Sequence, residues 1–311
     1  MSQDGPRYYR VEHHTAYGYS EPVLLSHQQL HLTPRPLDYQ STQAHKVTVV
    51  PTPTLCREII DAFGNPVTEI AIESAHSTLD ILAHTTVKVA ATPAIEPVAT
   101  PAWETIREAL RYRAGWQPEA AILAATHFLF ESPHARVKRD LRAYAGDCFT
   151  PARPVLAAAT SLMAKIHDEF KFDDAATTVT TPVMKFFAQK RGVCQDFAHL
   201  MISCLRSTGL AARYVSGYLH TRPPPGKPRR LGADASHAWV SLFIPGNGWI
   251  DLDPTNNVIP RFDHITLAWG RDFSDVTPLR GVINGGGIQT LEVKVTVEPV
   301  EETEKESAPL P

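Results

Sequence analysis

Apolar and polar positions alternate with period two along the first ninety residues. Tyr9, Val11, His13, Thr15, Tyr17 and Tyr19 fall on one side of such a run, the pattern of a half-buried strand. The same reading predicts strands at 27–33, 46–50, 67–73 and 78–90, with a turn at Phe63-Gly64-Asn65-Pro66. With no helical repeat between them, these strands predict a small β-sandwich, followed by a proline-containing link at 91–100. From Thr100 the period changes. Thr100-Pro101, Gln117-Pro118 and Thr181-Pro182 place proline where a first helical turn begins, with threonine as the expected N-cap in two of them. Residues 155–170 carry apolar side chains at i, i+3 and i+4. After Gly209 the period-two pattern returns at 212–219, 237–244, 249–253 and 289–297. The expected class is α+β. Its parts are a β-sandwich-like N-terminal domain over 1–95, a helical connecting segment over 96–150, a core over 151–286, and a terminal strand with an acidic tail over 287–311.

Charge and composition narrow the partners. The 311 residues carry 30 Lys+Arg against 33 Asp+Glu, a formal net charge of −3, which argues against a nucleic-acid binder or a polybasic membrane protein. No stretch of 18 apolar residues is present, and residues 1–20 lack the apolar centre of a signal peptide. Neither nucleic acid nor membrane is expected as a partner. Four cysteines without a Cys-x-x-Cys pair, and fourteen histidines without His-Glu-x-x-His, provide neither a disulfide framework nor a zinc site. No metal or cofactor is expected, and the expected setting is the reducing cytoplasm.

The candidate chemistry begins at Arg191-Gly192-Val193-Cys194-Gln195-Asp196-Phe197. Phe197, Ala198, Met201, Cys204 and Leu205 share one helical face and Gly209 is a natural stop, so Cys194 opens a helix. Unpaired N–H groups and partial positive charge at a helix start favour a thiolate, and the same groups can receive an oxyanion. Gly192 leaves room for a tight turn and a substrate. Free cysteines are usually small buried apolar residues, which describes Cys204 and leaves Cys56 and Cys148 unremarked. Cys194 needs a base to stand apart. His199 lies about 140° away around the helix and is expected as a helix-face residue with a local hydrogen bond.

A strand carrying His237, a turn, and a return strand carrying Asp251 and Asp253 supply the partners. A thiol nucleophile needs a histidine to move its proton, and the histidine needs a carboxylate on its other nitrogen. Register decides which acid serves. A four-residue loop, 245–248, puts both acids on the face opposite His237. A three-residue loop, 245–247, pairs Trp239 with Asp253, which brings Asp253 diagonally next to His237, about 7–8 Å away. Asp251 then faces Ser241, roughly 13 Å along the strand. Asp253 is favoured.

Four segments, Gly192–Ala198, Leu205–Tyr218, Ser236–Val240 and Gly248–Asn256, closely resemble the bacterial transglutaminase-like superfamily, whose members are often described as cysteine proteases. Residues 9–36 resemble the β domain that precedes its core, and Trp269–Pro278 its final core motif. The resemblance implies a papain-like core with the cysteine helix packed on an antiparallel sheet. By position it places the nucleophile on Cys194, the general base on His237 and the triad acid on Asp253. Gln195, Trp239 and Tyr218, within the matching motifs, are the expected substrate contacts. No tryptophan lies between Trp116 and Cys194 to serve as the oxyanion side chain of eukaryotic transglutaminases, and Gln189 and Gln195 are the nearby amides.

The implied reaction is thiol-dependent acyl transfer on an amide of a peptide or protein, resolved by water in a peptidase or amidase. The alternatives are a protein-glutamine transglutaminase, in which an amine resolves the thioester, and a non-catalytic binding module. The Gly285–Gly287 run is expected as a flexible link, and Arg222–Arg230 as a solvated loop or a basic rim for acidic substrates. Strand 289–297, with Leu291, Val293, Val295 and Val297 on one face, is expected to return to the N-terminal domain and bury all four.

Overall fold

The computed structural model describes residues 5–115, 117–221 and 236–301; the 222–230 segment and most of the acidic tail lie outside them. Strands β1 (Arg7–Leu30), β2 (Gln40–Val50), β3 (Leu55–Ile60), β4 (Pro66–Ile72) and β5 (His76–Val89) come first. Helices α1 (Trp103–Ala109), α2 (Ala120–Thr126), α3 (Arg139–Gly146) and α4 (Val155–Glu169) follow. Two short strands, β6 (Lys171–Phe172) and β7 (Arg191–Gly192), flank α5 (Val183–Gln189). Helix α6 (Cys194–Ser207) then leads into β8 (Ala212–Leu219), β9 (Ser236–Ile244), β10 (Gly248–Leu252), β11 (His264–Gly270), β12 (Leu279–Gly285) and β13 (Gln289–Val300).

The N-terminal domain is built around β1. The two strands predicted at 9–19 and 27–33 are one strand of 24 residues. Its first half pairs with β5 and β13, its second half with β4 and β12, and β2 and β3 extend the outer edges. The register of β1 breaks near Val23 on both sides. There Gly285, Gly286 and Gly287 all hold positive φ, and a Cβ on Gly285 would lie 2.5 Å from the Pro22 carbonyl. Only glycine fits such backbone. The run is thus a fixed kink between β12 and β13, pinned by Ser20 N–H on Ile288 O at 3.0 Å, and not a flexible link. Val23, Leu30, Ile70 and Ile72 share one buried cluster with Leu79, Ile81 and Ala83, so the bent halves enclose a sandwich-like core. Strand β12 lies within the 151–286 range expected for the core, yet it pairs with β1.

Strand β13 returns to β1 as expected, with Val297 opposite Val11 and Val295 opposite His13. Only these two valines are buried. Leu291 and Val293, 57% and 46% exposed, are absent from the cluster that Val295 and Val297 share with the core that follows. The core covers only part of that sheet face, which an alternating pattern does not reveal.

In the core, α6 packs on an antiparallel sheet of order β10-β9-β8-β11, with α3, α4 and α5 around its other sides. Its whole length from Gln195 to Ser207 is buried, not one face only as its spacing implied. The polar residues inside are accordingly bonded: the Arg206 guanidinium donates to the carbonyls of Ala212, Phe130 and Arg271. Gly209, at φ 88°, ends the helix as predicted, with Leu210 N–H on Leu205 O at 3.0 Å. The threonine caps fall elsewhere than expected. The Thr100 hydroxyl accepts Leu156 N–H at 3.1 Å and so caps α4, not α1, and Pro182, not Thr181, holds the N-cap position of α5, with no side-chain cap.

Two side-chain amides join the domains. β11 is an edge strand, and unpaired edge groups must find partners. Gln40 donates to Thr266 O and accepts from Thr266 N–H, both at 2.8 Å. Asn65 does the same with Trp269, at 2.9 Å each. Arg35 lies over the Trp269 ring at 3.5 Å. Val295→Ala is predicted to cost about 2 kcal/mol, as a large-to-small change in a filled core, whereas Val293→Ala changes stability by less than about 0.5 kcal/mol. Urea unfolding of the two variants measures the difference.

Candidate active site

Cys194 is half-buried at the first position of α6. The turn before it is fixed by Asp196, whose carboxylate accepts Val193 N–H at 2.9 Å and the Thr177 hydroxyl at 2.7 Å. This is one half of a capping box. The space above Gly192 is not open to substrate: a Cβ there would lie 2.5 Å from the Asp196 carboxylate and 2.8 Å from the Phe186 ring. Glycine is required by packing.

His237 enters β9 opposite Gly217 of β8. The loop from β9 to β10 has three residues, with Gly248 opposite Ile244, Asp251 opposite Ser241 and Leu252 opposite Val240. That is the odd register the sequence required. His237 Nε2 lies 2.8 Å from Asp253 Oδ2, and Cys194 is close enough to favour the charged imidazole. Asp251 serves another purpose. It accepts the Trp239 indole N–H at 3.0 Å and attracts Arg213, whose guanidinium sits between the Trp249 and Trp269 rings at 4.1 and 3.5 Å.

Asp253 is wholly buried and accepts five hydrogen bonds. Oδ2 receives His237 Nε2, His264 Nε2 at 2.9 Å and Asn256 Nδ2 at 2.8 Å. Oδ1 receives the Thr255 and Asn256 N–H groups at 3.0 and 3.2 Å. A carboxylate only accepts, so both imidazoles present Nε2–H, and Nδ1 of His237 is the nitrogen left for the thiol. Burial alone would raise the Asp253 carboxyl, but its donors outweigh burial and hold it well below the usual carboxylate range. Burial likewise disfavours the charged imidazole of His237, yet bonding to Asp253 and Cys194 raises it to about 10. His237, Asp253 and His264 also form a trio whose ligand atoms lie within 4.8 Å. Their facing atoms already meet in hydrogen bonds, so protons satisfy the carboxylate.

Residues 142–254 match the transglutaminase-like superfamily, and residues 9–88 match the bacterial transglutaminase-like N-terminal region. An uncharacterized protein of Mycobacterium tuberculosis is 37% identical over 305 residues, covering 96% of this chain and 94% of the relative. The chain belongs to the transglutaminase-like superfamily. A protein-glutamine gamma-glutamyltransferase of Pseudomonas aeruginosa is 30% identical over 117 residues, 35% of this chain and 18% of that one. The crystal structure of a Cytophaga hutchinsonii protein described as a "Putative Cysteine Protease" shares the fold. Its TM-score is 0.73 at 18% identity, over 96% of this chain and 92% of that one.

The transglutaminase-like core encloses the residues expected to touch substrate. Trp239 is fully buried, stacked on His237 at 6.0 Å and edge-on to His264 at 5.1 Å. Tyr218 is buried with its hydroxyl 2.8 Å from His13 Nδ1, at the domain joint. Gln195 is buried and donates to Val179 O at 3.0 Å. None offers a surface on which substrate could lie. Gln189 is likewise spent, on Arg191 O at 2.8 Å. His199 is buried, and its bond is not local: it accepts Phe273 N–H at 3.2 Å. Cys204 is buried, and its surroundings push its thiol far up. Sequence reasoning missed His264 and Asn256. Asn256 follows Asp-Pro-Thr directly, but His264 carries no local signal.

The network ties stability to pH. His237, raised from 6.5 to about 10, binds its proton more tightly when folded. Its contribution is complete below pH 6.5 and lost as pH climbs through 10. Asp253, lowered from 3.8, contributes above that value and loses the contribution as pH falls further. The melting-temperature gap between the natural protein and Asp253→Asn is therefore predicted to be widest between pH 3.8 and 6.5 and to shrink towards pH 10. Thermal melts across pH check this.

Proposed function

We propose that the protein performs thiol-dependent acyl transfer on amide bonds of a peptide or protein, with Cys194 as nucleophile, His237 as general base and acid, and Asp253 as the orienting acid. The observation that carries the reading is a buried carboxylate–imidazole pair beside the cysteine that opens a buried helix. His237 takes the Cys194 proton as sulfur attacks the amide carbonyl. The Cys194 and Gln195 N–H groups, which no helical carbonyl can reach, receive the developing oxyanion. As the C–N bond breaks, the imidazolium gives its proton to the departing amine, leaving a thioester on Cys194. Water then enters, His237 takes its proton, and the acid is released.

Hydrolysis is the preferred outcome, because crosslinking needs a second groove for an amine. Transamidation is the second reading, favoured by the 117-residue likeness to the Pseudomonas aeruginosa gamma-glutamyltransferase. A peptide library assayed with and without added primary amine separates them: free acid in both arms marks hydrolysis, and amine incorporated into the acyl product marks transamidation. Cys194→Ala and His237→Ala are each predicted to lower turnover by about 10³-fold or more, while Cys204→Ala and a chelator leave it within about threefold. Retention of turnover by Cys194→Ala, or an unreactive Cys194 thiol at pH 6, would contradict the proposal and favour the non-catalytic module.

A further inference from the structure

Asp253 accepts from a second histidine, which a cysteine–histidine–aspartate relay does not require. His264 opens β11, opposite Leu219 of β8, at the far side of the sheet from β10. Between Asp253 and His264 the chain crosses from one outer strand to the other. The bond from His264 Nε2 to Asp253 Oδ2 at 2.9 Å therefore joins the two ends of that crossing. The histidine is buried, its ring stands edge-on to Trp239 at 5.1 Å, and its Nδ1 has no partner among the described residues. Among the described residues, its side chain's polar work is on the carboxylate.

Resting on the reading of Cys194, His237 and Asp253 above, we propose that His264 is a positioning residue, which sets the plane and charge of Asp253 so that His237 keeps its proton facing Cys194. The Asp253 carboxylate turns about a soft, two-fold torsion. Oδ1 is fixed by two backbone N–H groups of the following turn, so the donors on Oδ2 decide where its lone pairs point. His237 approaches that oxygen from β9 and His264 from β11, and their rings are 5.8 Å apart and tilted by 55°. The His264 N–H, joining those of His237 and Asn256 on Oδ2, also draws charge from it and discourages it from taking the His237 proton.

β11 is held for this task. Gln40 and Asn65 clamp Thr266 and Trp269, two and five residues beyond His264, so the N-terminal domain fixes the strand that fixes the acid. The ionisable groups that meet the His264 ring are Asp253 and His237. The adjacent Asp263 is engaged by Arg7 and the Tyr9 hydroxyl.

The test is the rate of iodoacetamide alkylation of Cys194, read by mass spectrometry between pH 5.5 and 9.5, with exposed Cys56 as the internal standard. In the natural protein the Cys194 rate should stay level down to pH 6. In His264→Phe, which keeps the aromatic contact with Trp239 and removes the donor, the pH 6 rate should fall about tenfold, with the pH 9.5 rate within twofold. His264→Gln, which restores a donor, should recover most of the loss. A merely structural histidine would lower the melting temperature and leave the profile level, and that result overturns the proposal. His264→Met asks the same question should the phenylalanine variant not fold. If Cys194 of the natural protein already reacts like Cys56 at pH 6, the acyl-transfer reading itself fails, and the role of His264 falls with it.

Discussion

A carboxylate with no exposure to water organises this protein. Removing an ionised Asp from solvent costs several kcal/mol unless charge and hydrogen bonds replace its hydration. Here the replacement is five donors, drawn from β9, from β11 and from the turn after β10. Each demand constrains something larger. The donor on β9 must come from a histidine two positions from the register partner of Asp253, which the three-residue loop secures. The donor on β11 requires the chain to cross the sheet and return at one place. The turn donors require Thr255 and Asn256 to fold back on Oδ1. The placing of His237 and His264 is thus the consequence of satisfying a single buried charge.

The N-terminal domain belongs to the same account. An edge strand that bears a network residue cannot be left to fray, and among the described residues β11 has no further strand beyond it. Two amide side chains take the place of that strand, each both accepting and donating. The neighbouring charges are handled by stacking: Arg35 and Arg213 both lie on Trp269, and Asp251 answers Arg213. Asp251 and Asp253, two residues apart at the end of β10, therefore divide the work. The first supports the indole under His237, and the second orients His237 itself.

Much of this was legible in the chain. Glycine before and after a helix, a cysteine at its start, and a hairpin whose loop parity decides which acid meets the histidine are local features, and local physics reads them. What escaped is what lies outside the periodicity of one segment. The break at Val23 looks like a strand end, yet β1 continues because partners on both sides kink with it. Apolar alternation in β13 cannot tell Val295 from Val293, because coverage by another domain separates them. A buried helix looks amphipathic when its inward polar groups, such as Arg206, find carbonyls far along the chain. Trp239, Tyr218 and Gln195 lie beside the chemistry in sequence and face inward in space. His264, eleven residues from Asp253, becomes visible only once the crossing between them is drawn.

The central claim is that Asp253 keeps His237 cationic within the fold. Nitrogen-15 NMR of the histidine side chains measures this directly, following the His237 ring nitrogens as pH is raised. The account predicts that His237 remains doubly protonated through neutrality and loses its proton near pH 10, and that Asp253→Asn moves this step down towards 6.5. A His237 that titrates near 6.5 in the natural protein, unchanged by Asp253→Asn, would contradict it.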